Sequence, residues 1–286
     1  MCITFFYLNP QASKDEYKLI IIANRDEFYS REAAPAHCWE ENQSIIGGRD
    51  LASHSKGTWL ALSKKGRIGI LLNIIDDRIP NTPGATSRGV LVDDFLSGDL
   101  KSREFGQKLK SEQREYNAFH LLMFDFICDD IEAYILTNLS NKKPGDLNKL
   151  RTGYHGYSNS SELPYEKVKW GKKKFEEIVN RYNRIEQRDL LLNHLLHLLK
   201  SPKGHYPDEV LSESTQLFTN NQSEFMENLS SIFVSFPEGG LGTRTHSIIL
   251  VTRDNFVDFN EYTMKEPINL EDTEWIHSHF LEKFKS

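Results

Sequence analysis

The stretch Leu19-Ile20-Ile21-Ile22-Ala23-Asn24-Arg25-Asp26-Glu27 is a short apolar, β-branched run that ends in four consecutive hydrogen-bonding side chains. The run predicts a strand over residues 18–23, and a second apolar run predicts a strand over residues 2–8. The polar residues 9–15 between them predict the turn of a hairpin.

The four polar side chains at the end of the second predicted strand have two interpretations. Strand alternation places Asn24 and Asp26 on one face, with Arg25 and Glu27 on the other. They form either a convergent site or a solvated strand end with a local ion pair worth about 0–1 kcal/mol. The residues alone favour neither interpretation.

The rest of the chain follows the order strands, helices, strands. Further strands are predicted over residues 58–63, 68–73, 120–126, 131–137, 232–236, 247–252 and 256–262. Helices are predicted over residues 89–96, 166–182 (apolar residues on one side, lysines on the other) and 189–200 (apolar nearly all round and therefore buried). Residues 274–284 fit a helix or an edge strand equally well. This order predicts one α+β domain over residues 1–286, with helices covering antiparallel sheets.

Composition excludes several classes of protein. The 286 residues include 41 acidic and 35 basic side chains, a net charge of −6, which argues against nucleic acid as a partner. No apolar run approaches the ~20 residues that span a bilayer, and no secretory signal is predicted. The three cysteines, Cys2, Cys38 and Cys128, form neither a disulfide framework nor a zinc motif, which favours a reducing compartment. Cys38 and Cys128 are interpreted as structural.

Cys2 follows the initiator methionine directly. Removal of Met1 would place its thiol beside an α-amino group with a pKa of about 7.7–8.0, which can act as the base for the thiol. The alternative is a small apolar residue that starts an edge strand. Position 2 alone favours this alternative.

Two other segments contain candidate binding residues. The segment Gly239-Gly240-Leu241-Gly242-Thr243-Arg244-Thr245-His246 could approach an anion closely and bind it through Arg244, although a tight turn with Arg244 on the surface is slightly favoured. His194 and His197 lie three residues apart on the Leu-rich predicted helix. They are interpreted as buried histidines with internal partners, since no further ligand stands at a metal-site spacing. No metal site is predicted.

Six motifs in order together resemble the NRDE protein family, also called the transport and Golgi organisation protein 2 family. They extend from Cys2 to about Val251, and the C-terminal tail is the least diagnostic part. The motifs are Met1-Cys2-Ile3, Ala23-Asn24-Arg25-Asp26-Glu27-Phe28-Tyr29-Ser30-Arg31, Gly57-Thr58-Trp59-Leu60, Ser87-Arg88-Gly89, Gly156-Tyr157-Ser158-Asn159 and Gly242-Thr243-Arg244-Thr245.

The resemblance implies a four-layer αββα sandwich of antiparallel sheets, like that of N-terminal-nucleophile hydrolases, in one domain. Within that superfamily the chain looks similar to the choloylglycine-hydrolase and penicillin-V-acylase branch. By that likeness Cys2 would be the nucleophile and Asp26 would hold its amine. Asn73 and Asn159 would donate to the oxyanion, and Arg244 would support the carboxylate or the substrate.

One departure from the hydrolase pattern favours a binding protein over an enzyme. The hydrolase branch has Arg-Asn-x-Asp after its second strand, and with Asn24 and Asp26 matched to it, Ala23 stands at the arginine position. The family has been linked to haem trafficking, acyl-CoA and lipid handling, and organisation of the secretory pathway. The first hypothesis is therefore an intracellular carrier of haem or a similar amphipathic anion such as acyl-CoA. The alternative is a cysteine hydrolase of an amide or thioester.

The carrier hypothesis assigns ligand binding to the polar residues of two motifs, and it treats haem as a transported ligand rather than a catalytic cofactor. A haem axial ligand would come from one of three side chains. The lack of a predicted targeting segment and the sparse cysteines favour a cytoplasmic location, with mitochondria or the secretory pathway as further locations. Size alone suggests a homodimer. The predicted ligand-binding residues are Asn24, Arg25, Asp26, Glu27, Arg244 and His246, and the candidate axial ligands are Cys2, His155 and His246.

Overall fold

The computed structural model describes residues 2–111, 116–127, 130–139, 145–215 and 223–285. The chain divides into two compact units, each assembled from three separate stretches. The first unit comprises Met1–Ser30, Ile75–Arg78 and Thr152–Leu281, and the second comprises Arg31–Ile74, Ile79–Arg151 and Glu282–Ser286. One domain over residues 1–286 stays a prediction.

The described residues form strands and helices that are numbered here along the chain. The strands are β1 (Ile3–Leu8), β2 (Tyr17–Phe28), β3 (Ala33–Cys38), β4 (Ile45–Asp50), β5 (Leu60–Ser63), β6 (Arg67–Asn73), β7 (Phe119–Ile127), β8 (Asp130–Asn138), β9 (Asp146–Lys149), β10 (Gly153–Tyr157), β11 (Ser235–Phe236), β12 (Leu241–Thr252), β13 (Phe256–Met264) and β14 (Trp275–Lys283). The α-helices are α1 (Val90–Ser97), α2 (Ser102–Ser111), α3 (Glu166–Tyr182), α4 (Arg188–Leu199), α5 (Glu209–Ser214) and α6 (Ser223–Leu229).

The sheet of the first unit is antiparallel, in the order β10-β1-β2-β12-β13-β14, with β11 added to β12. Its central strands β2 and β12 are buried along most of their length because both of their faces carry apolar side chains. Helices α3 and α4 cover one face. Phe5, Ile22 and Ile248 of the sheet pack there in one apolar core with Phe175 of α3 and Leu195 of α4.

The sheet of the second unit is an antiparallel meander in which β3 to β9 follow one another in chain order. Helices α1 and α2 supply Leu91, Phe95 and Phe105 to its core, which also contains Trp39 and Phe119. The α+β class is thus confirmed, with two antiparallel sheets that both carry helices. No helix among the described residues combines the length and apolarity needed to cross a membrane.

Helix α4 corrects the prediction of a helix buried all round. Only Leu191, Leu195, Leu198 and Leu199 are buried, while Leu190 is 52% exposed. His194 and His197 lie on the exposed side, so the prediction that they are buried is wrong. His194 stacks on Tyr182 of α3, with ring centroids 4.7 Å apart.

Three other local predictions are decided by tertiary contacts. The segment 274–284 is the edge strand β14 rather than a helix. The strand predicted over residues 232–236 is reduced to Ser235–Phe236. In α3, Lys167 is fully buried although lysines were predicted on the solvent side.

Candidate functional site

Cys2 lies immediately before β1, between two strands that bring polar groups to it. Strand β2 pairs with β1 from Ile3 opposite Asn24, and β10 pairs on the other side from Thr4 opposite Tyr157. The Cys2 thiol faces the carbonyl oxygen of Asp26, with Sγ and O 3.8 Å apart. The hydroxyl of Ser158, just after β10, donates to the Cys2 carbonyl oxygen at 2.7 Å. Burial raises the pKa of the Cys2 thiol, which favours its neutral form.

The Asp26 carboxylate is buried beside this cysteine, with 5% of the residue exposed. The Thr243 hydroxyl lies 2.6 Å from Asp26 Oδ1 and accepts the main-chain N–H of Val234 at 2.9 Å. A hydroxyl that accepts from Val234 directs its single proton elsewhere, here to Asp26. Burial raises the pKa of Asp26, while the positive charge of the chain's N-terminal amine, the charge of Lys167 and the Thr243 hydrogen bond oppose this rise. The carboxylate therefore depends on these partners to ionise.

The predicted alternation along Asn24–Glu27 is seen in the structure. Arg25 and Glu27 share one face, with Nη2 and Oε2 4.0 Å apart, and Asn24 lies on the other face beside the helices. Arg25 is 5% exposed and Asn24 is 2% exposed, so this is not a solvated strand end.

Asn24 and His246 form one buried hydrogen-bonded pair across β2 and β12. The Asn24 amide donates to the carbonyl oxygens of Leu199 at 2.8 Å and Ile232 at 2.9 Å, and its own oxygen lies 2.7 Å from His246 Nδ1. This pairing assigns the ring proton to Nδ1. The imidazole is fully buried and stacks on Trp275 with ring centroids 4.8 Å apart. Burial lowers the pKa of His246 to about 3, so the ring is neutral near pH 7.

Arg244 occupies an irregularity in the pairing of β12 with β2, between Thr243 and Thr245. Its guanidinium donates to the Phe28 carbonyl oxygen at 2.9 Å and to the Glu266 carboxylate. Arg244 is completely buried, so the interpretation of a surface arginine is wrong. The turn before it was recognised in sequence, and Gly240 has the positive φ of 66° that favours glycine.

The remaining predicted residues lie elsewhere. Asn73 ends β6 in the second unit, and Asn159 belongs to the first, where it is 1% exposed and follows Ser158. Their joint role as oxyanion donors stays a prediction. His155 lies in β10, half-buried, and stacks on Phe6 with ring centroids 4.6 Å apart. Cys38 is a half-buried thiol, and Cys128 lies outside the described residues.

Comparison with known proteins decides the family. The model of the family Transport and Golgi organisation 2 matches residues 1–266. The chain belongs to this family. The Transport and Golgi organization protein 2 homolog of Bos taurus is 33% identical over 267 residues, 92% of this chain and 93% of the bovine protein. Transport and Golgi organization protein 2 of Drosophila melanogaster is 30% identical over 273 residues, covering 92% of each chain.

Solved structures that resemble this one are more distant in sequence. The C2A mutant of conjugated bile acid hydrolase from Clostridium perfringens has a TM-score of 0.44 and 12% identity, over 100% of this chain and 97% of that one. The Caenorhabditis elegans ortholog of N-acylethanolamine-hydrolyzing acid amidase has a TM-score of 0.46 and 9% identity, over 88% and 93%. These values describe a distant likeness.

The structure adds two residues to the site in this family member. Thr243 stood in a recognised motif without a role, and its pairing with Asp26 requires β2 and β12 to be adjacent. Lys167 was assigned to the wrong side of its helix. Its spacing of four residues to Gly171 and eight to Phe175, both buried, is the sequence signal that places it on the apolar face. In the described part of the chain no group of three or more His, Cys, Asp or Glu side chains could hold a metal ion.

Proposed function

We propose that this chain is an N-terminal cysteine-nucleophile hydrolase that cleaves an amide or a thioester after Met1 is removed. One observation carries the proposal: the Cys2 thiol lies 3.8 Å from the main-chain carbonyl oxygen of Asp26, and the buried carboxylate of the same residue accepts a hydrogen bond from Thr243. Asn24, Arg244 and His246, which the carrier hypothesis assigns to the ligand, instead have internal hydrogen-bond partners. This arrangement favours the hydrolase, which the sequence had ranked second.

The proposed reaction uses the α-amino group of Cys2 as its base. With Met1 absent, this amine takes the thiol proton, and the sulfur attacks the substrate carbonyl carbon. The tetrahedral intermediate collapses as the leaving amine or thiol takes the proton back from the α-ammonium. Water, deprotonated by the same amine, then attacks the Cys2 thioester and releases a carboxylic acid and the thiol.

Asp26 supports the charged state of that amine. Formation of the α-ammonium beside a carboxylate is electrostatically favourable, and it stabilises the form that exists after the first proton transfer. Thr243 keeps one carboxylate oxygen occupied as an acceptor. Asn159, which follows Ser158 in the same unit as Cys2, is the proposed donor to the oxyanion, since developing negative charge on the substrate oxygen requires a hydrogen-bond donor.

Acylation of Cys2 is the test. The protein is incubated with palmitoyl-CoA and with an N-palmitoyl amide, and intact mass is recorded beside product release. We expect protein that lacks Met1, an acyl adduct on Cys2, and turnover reduced by about 10³-fold or more in Cys2→Ala. Cys38→Ala, the matched control at another half-buried cysteine, should retain both adduct and turnover. Turnover by Cys2→Ala, or by protein that retains Met1, would contradict the proposal.

A carrier of haem or acyl-CoA is the second candidate, favoured by two half-buried rings of the edge strand β10, those of His155 and Tyr157, which pack over the fully buried Phe6 of β1. There His155 is half-buried and stacks on Phe6, whose ring centroid is also 6.1 Å from that of Tyr157. Flat aromatic groups beside an imidazole suit stacking and ligation of haem. The wild type and Cys2→Ala of the acylation experiment also distinguish a carrier from a hydrolase. A carrier would bind palmitoyl-CoA in both proteins and cleave it in neither. A haem carrier would also show a Soret shift that His155→Ala abolishes.

A further inference from the structure

Residues 229–234 form a segment that we call the strap, which runs from the last residue of helix α6 to the start of strand β11. Except for the half-buried Phe233, its residues are at most 3% exposed, although this segment forms neither helix nor strand beyond Leu229. Buried main-chain groups outside regular structure require other hydrogen-bond partners. In the strap, side chains of the surrounding elements provide several of them.

Lys167 of helix α3 binds the start of the strap. Its ammonium donates to the carbonyl oxygen of Leu229 at 2.8 Å and to that of Ser231 at 3.0 Å. The lysine is completely buried. A buried ammonium with two main-chain acceptors holds both carbonyls in place, since moving either one would leave a charge with an unmet hydrogen bond.

The other end of the strap reaches the candidate site. Val234 pairs with Thr243 in both directions: its N–H donates to the Thr243 hydroxyl at 2.9 Å, and its carbonyl accepts the Thr243 N–H at 2.8 Å. The Thr243 hydroxyl donates to Asp26 at 2.6 Å. The direction of this last hydrogen bond therefore depends on where the strap holds the Val234 N–H.

We propose that Lys167 is a positioning residue of the Cys2–Asp26 site, acting through the strap to keep the Thr243 hydroxyl proton on Asp26. Its importance for catalysis rests on the proposed function, whereas its effect on Asp26 is a property of the folded chain alone. The role requires no contact between Lys167 and a substrate.

The charges agree with this role. Burial lowers the pKa of Lys167, and Asp26 is the largest influence that opposes this fall. In return the Lys167 charge lowers the pKa of Asp26, as the Thr243 hydrogen bond does. The other titratable or charged groups around this pair include the chain's N-terminal amine, whose charge also lowers the pKa of Asp26. On β2, β12 and the surrounding segments they include Cys2, Arg25, Tyr29, His205, Asp208 and Arg244.

The ionisation of Asp26 tests the proposal without any substrate. Aspartate carboxyls are isotope-labelled and followed by NMR titration, with Asp26 assigned from the Asp26→Asn variant. Lys167→Met should raise the apparent pKa of Asp26 by about one pH unit or more, and by more than Lys167→Gln, whose amide keeps N–H donors for the strap while losing the charge. Thr243→Val should raise it in the same direction. Lys169→Met, on the same helix with a side chain that is 51% exposed, should leave the titration unchanged.

The outcomes are distinct from those of the acylation experiment. An Asp26 titration in folded Lys167→Met that is unchanged, or that equals the titration in Lys167→Gln, overturns the positioning role, whereas absence of turnover in wild type overturns only the hydrolase. Should Lys167→Met fail to fold, Lys167→Leu takes its place in the comparison. Failure of both to fold would also overturn the proposal, because Lys167 would then serve the stability of the whole unit.

Discussion

At the scale of single residues, the burial and hydrogen bonding of the His246 imidazole make the stability of the fold depend on pH. Its Nδ1 proton is directed to Asn24, and Trp275 covers the ring. Nε2 has no hydrogen-bond partner among the described residues. Protonation would place an uncompensated charge in the interior, which is why burial lowers the pKa of His246 from 6.5 to about 3.

The consequence is acid sensitivity with a definite sign. Below about pH 6.5 the unfolded histidine binds a proton that the folded one rejects down to about pH 3. As the pH decreases through this window, the free energy of unfolding therefore falls by about 1.4 kcal/mol per pH unit through His246 alone. Urea unfolding at a series of pH values should show this slope reduced in His246→Gln and retained in His54→Gln, an exposed control. Equal slopes in both variants would contradict the assignment.

At the scale of secondary-structure elements, Gly242 allows β12 to pass beneath Tyr29. A Cβ atom built on Gly242 would overlap the Tyr29 hydroxyl oxygen and lie 2.6 Å from its Cζ. The main chain of Tyr29 also donates to the Gly240 carbonyl oxygen at 2.7 Å. The start of β12 and the end of β2 therefore pack without displacement of the Tyr29 ring only when residue 242 is a glycine.

We expect Gly242→Ala to lower the free energy of unfolding by about 1–3 kcal/mol, since the ring must move to admit a methyl group. A double-mutant cycle with Tyr29→Ala measures the cause. If the clash with Tyr29 is responsible, Gly242→Ala should cost distinctly less in the Tyr29→Ala background. If the stability losses of Gly242→Ala and Tyr29→Ala simply add in the double mutant, the Tyr29 ring is not the cause of the destabilisation.

At the scale of the whole molecule, both units are built from distant parts of the chain. The second unit includes the C-terminal segment, where Phe284 is 3% exposed and packs on Phe126 with ring centroids 4.6 Å apart. Lys64 adds an ion pair with Glu282 at 2.7 Å. Residues 158 positions apart thus pack together in this unit, and residues 218 positions apart form an ion pair in it.

Removal of the Phe284 ring should lower the stability of the second unit. Phe284→Ala is expected to cost about 3–5 kcal/mol because it empties a buried site. Leu281→Ala, at a position that is 71% exposed, should change stability by about 0.5 kcal/mol or less. Amide hydrogen exchange in β7 reports the effect within the second unit, and unchanged protection in Phe284→Ala would contradict it.

Many of the strands and helices can be predicted from local patterns of apolar residues in the sequence. The apolar runs before Asn24 and after Cys2 predict β1 and β2, and the spacing of apolar residues predicts α3 with the bounds Glu166–Tyr182 found in the structure. The alternation of Asn24 to Glu27 is equally local, because successive side chains of a strand point to opposite faces. The six ordered motifs lead to the family that the comparison confirms.

The features that were not predicted are those in which residues distant in sequence provide hydrogen-bond partners for one another. Ile232 to Val234 have the composition of a strand, yet Asn24 and Lys167 bind the main chain of the strap and replace a neighbouring strand. Arg244 is charged and nevertheless buried, because the Phe28 carbonyl oxygen and Glu266 receive its guanidinium.

Local pattern was thus enough to predict the alternation of side chains along β2 and the α+β class, because these features depend on residue type and on spacing over a few positions. The family and the candidacy of Cys2 and Asp26 were predicted from the resemblance carried by the six ordered motifs. The direction of the Thr243 hydrogen bond, the buried charges of Lys167 and Arg244, and the neutrality of His246 were decided only in the folded molecule. Each depends on the removal of water from a polar group and on its replacement by a partner from a distant part of the chain.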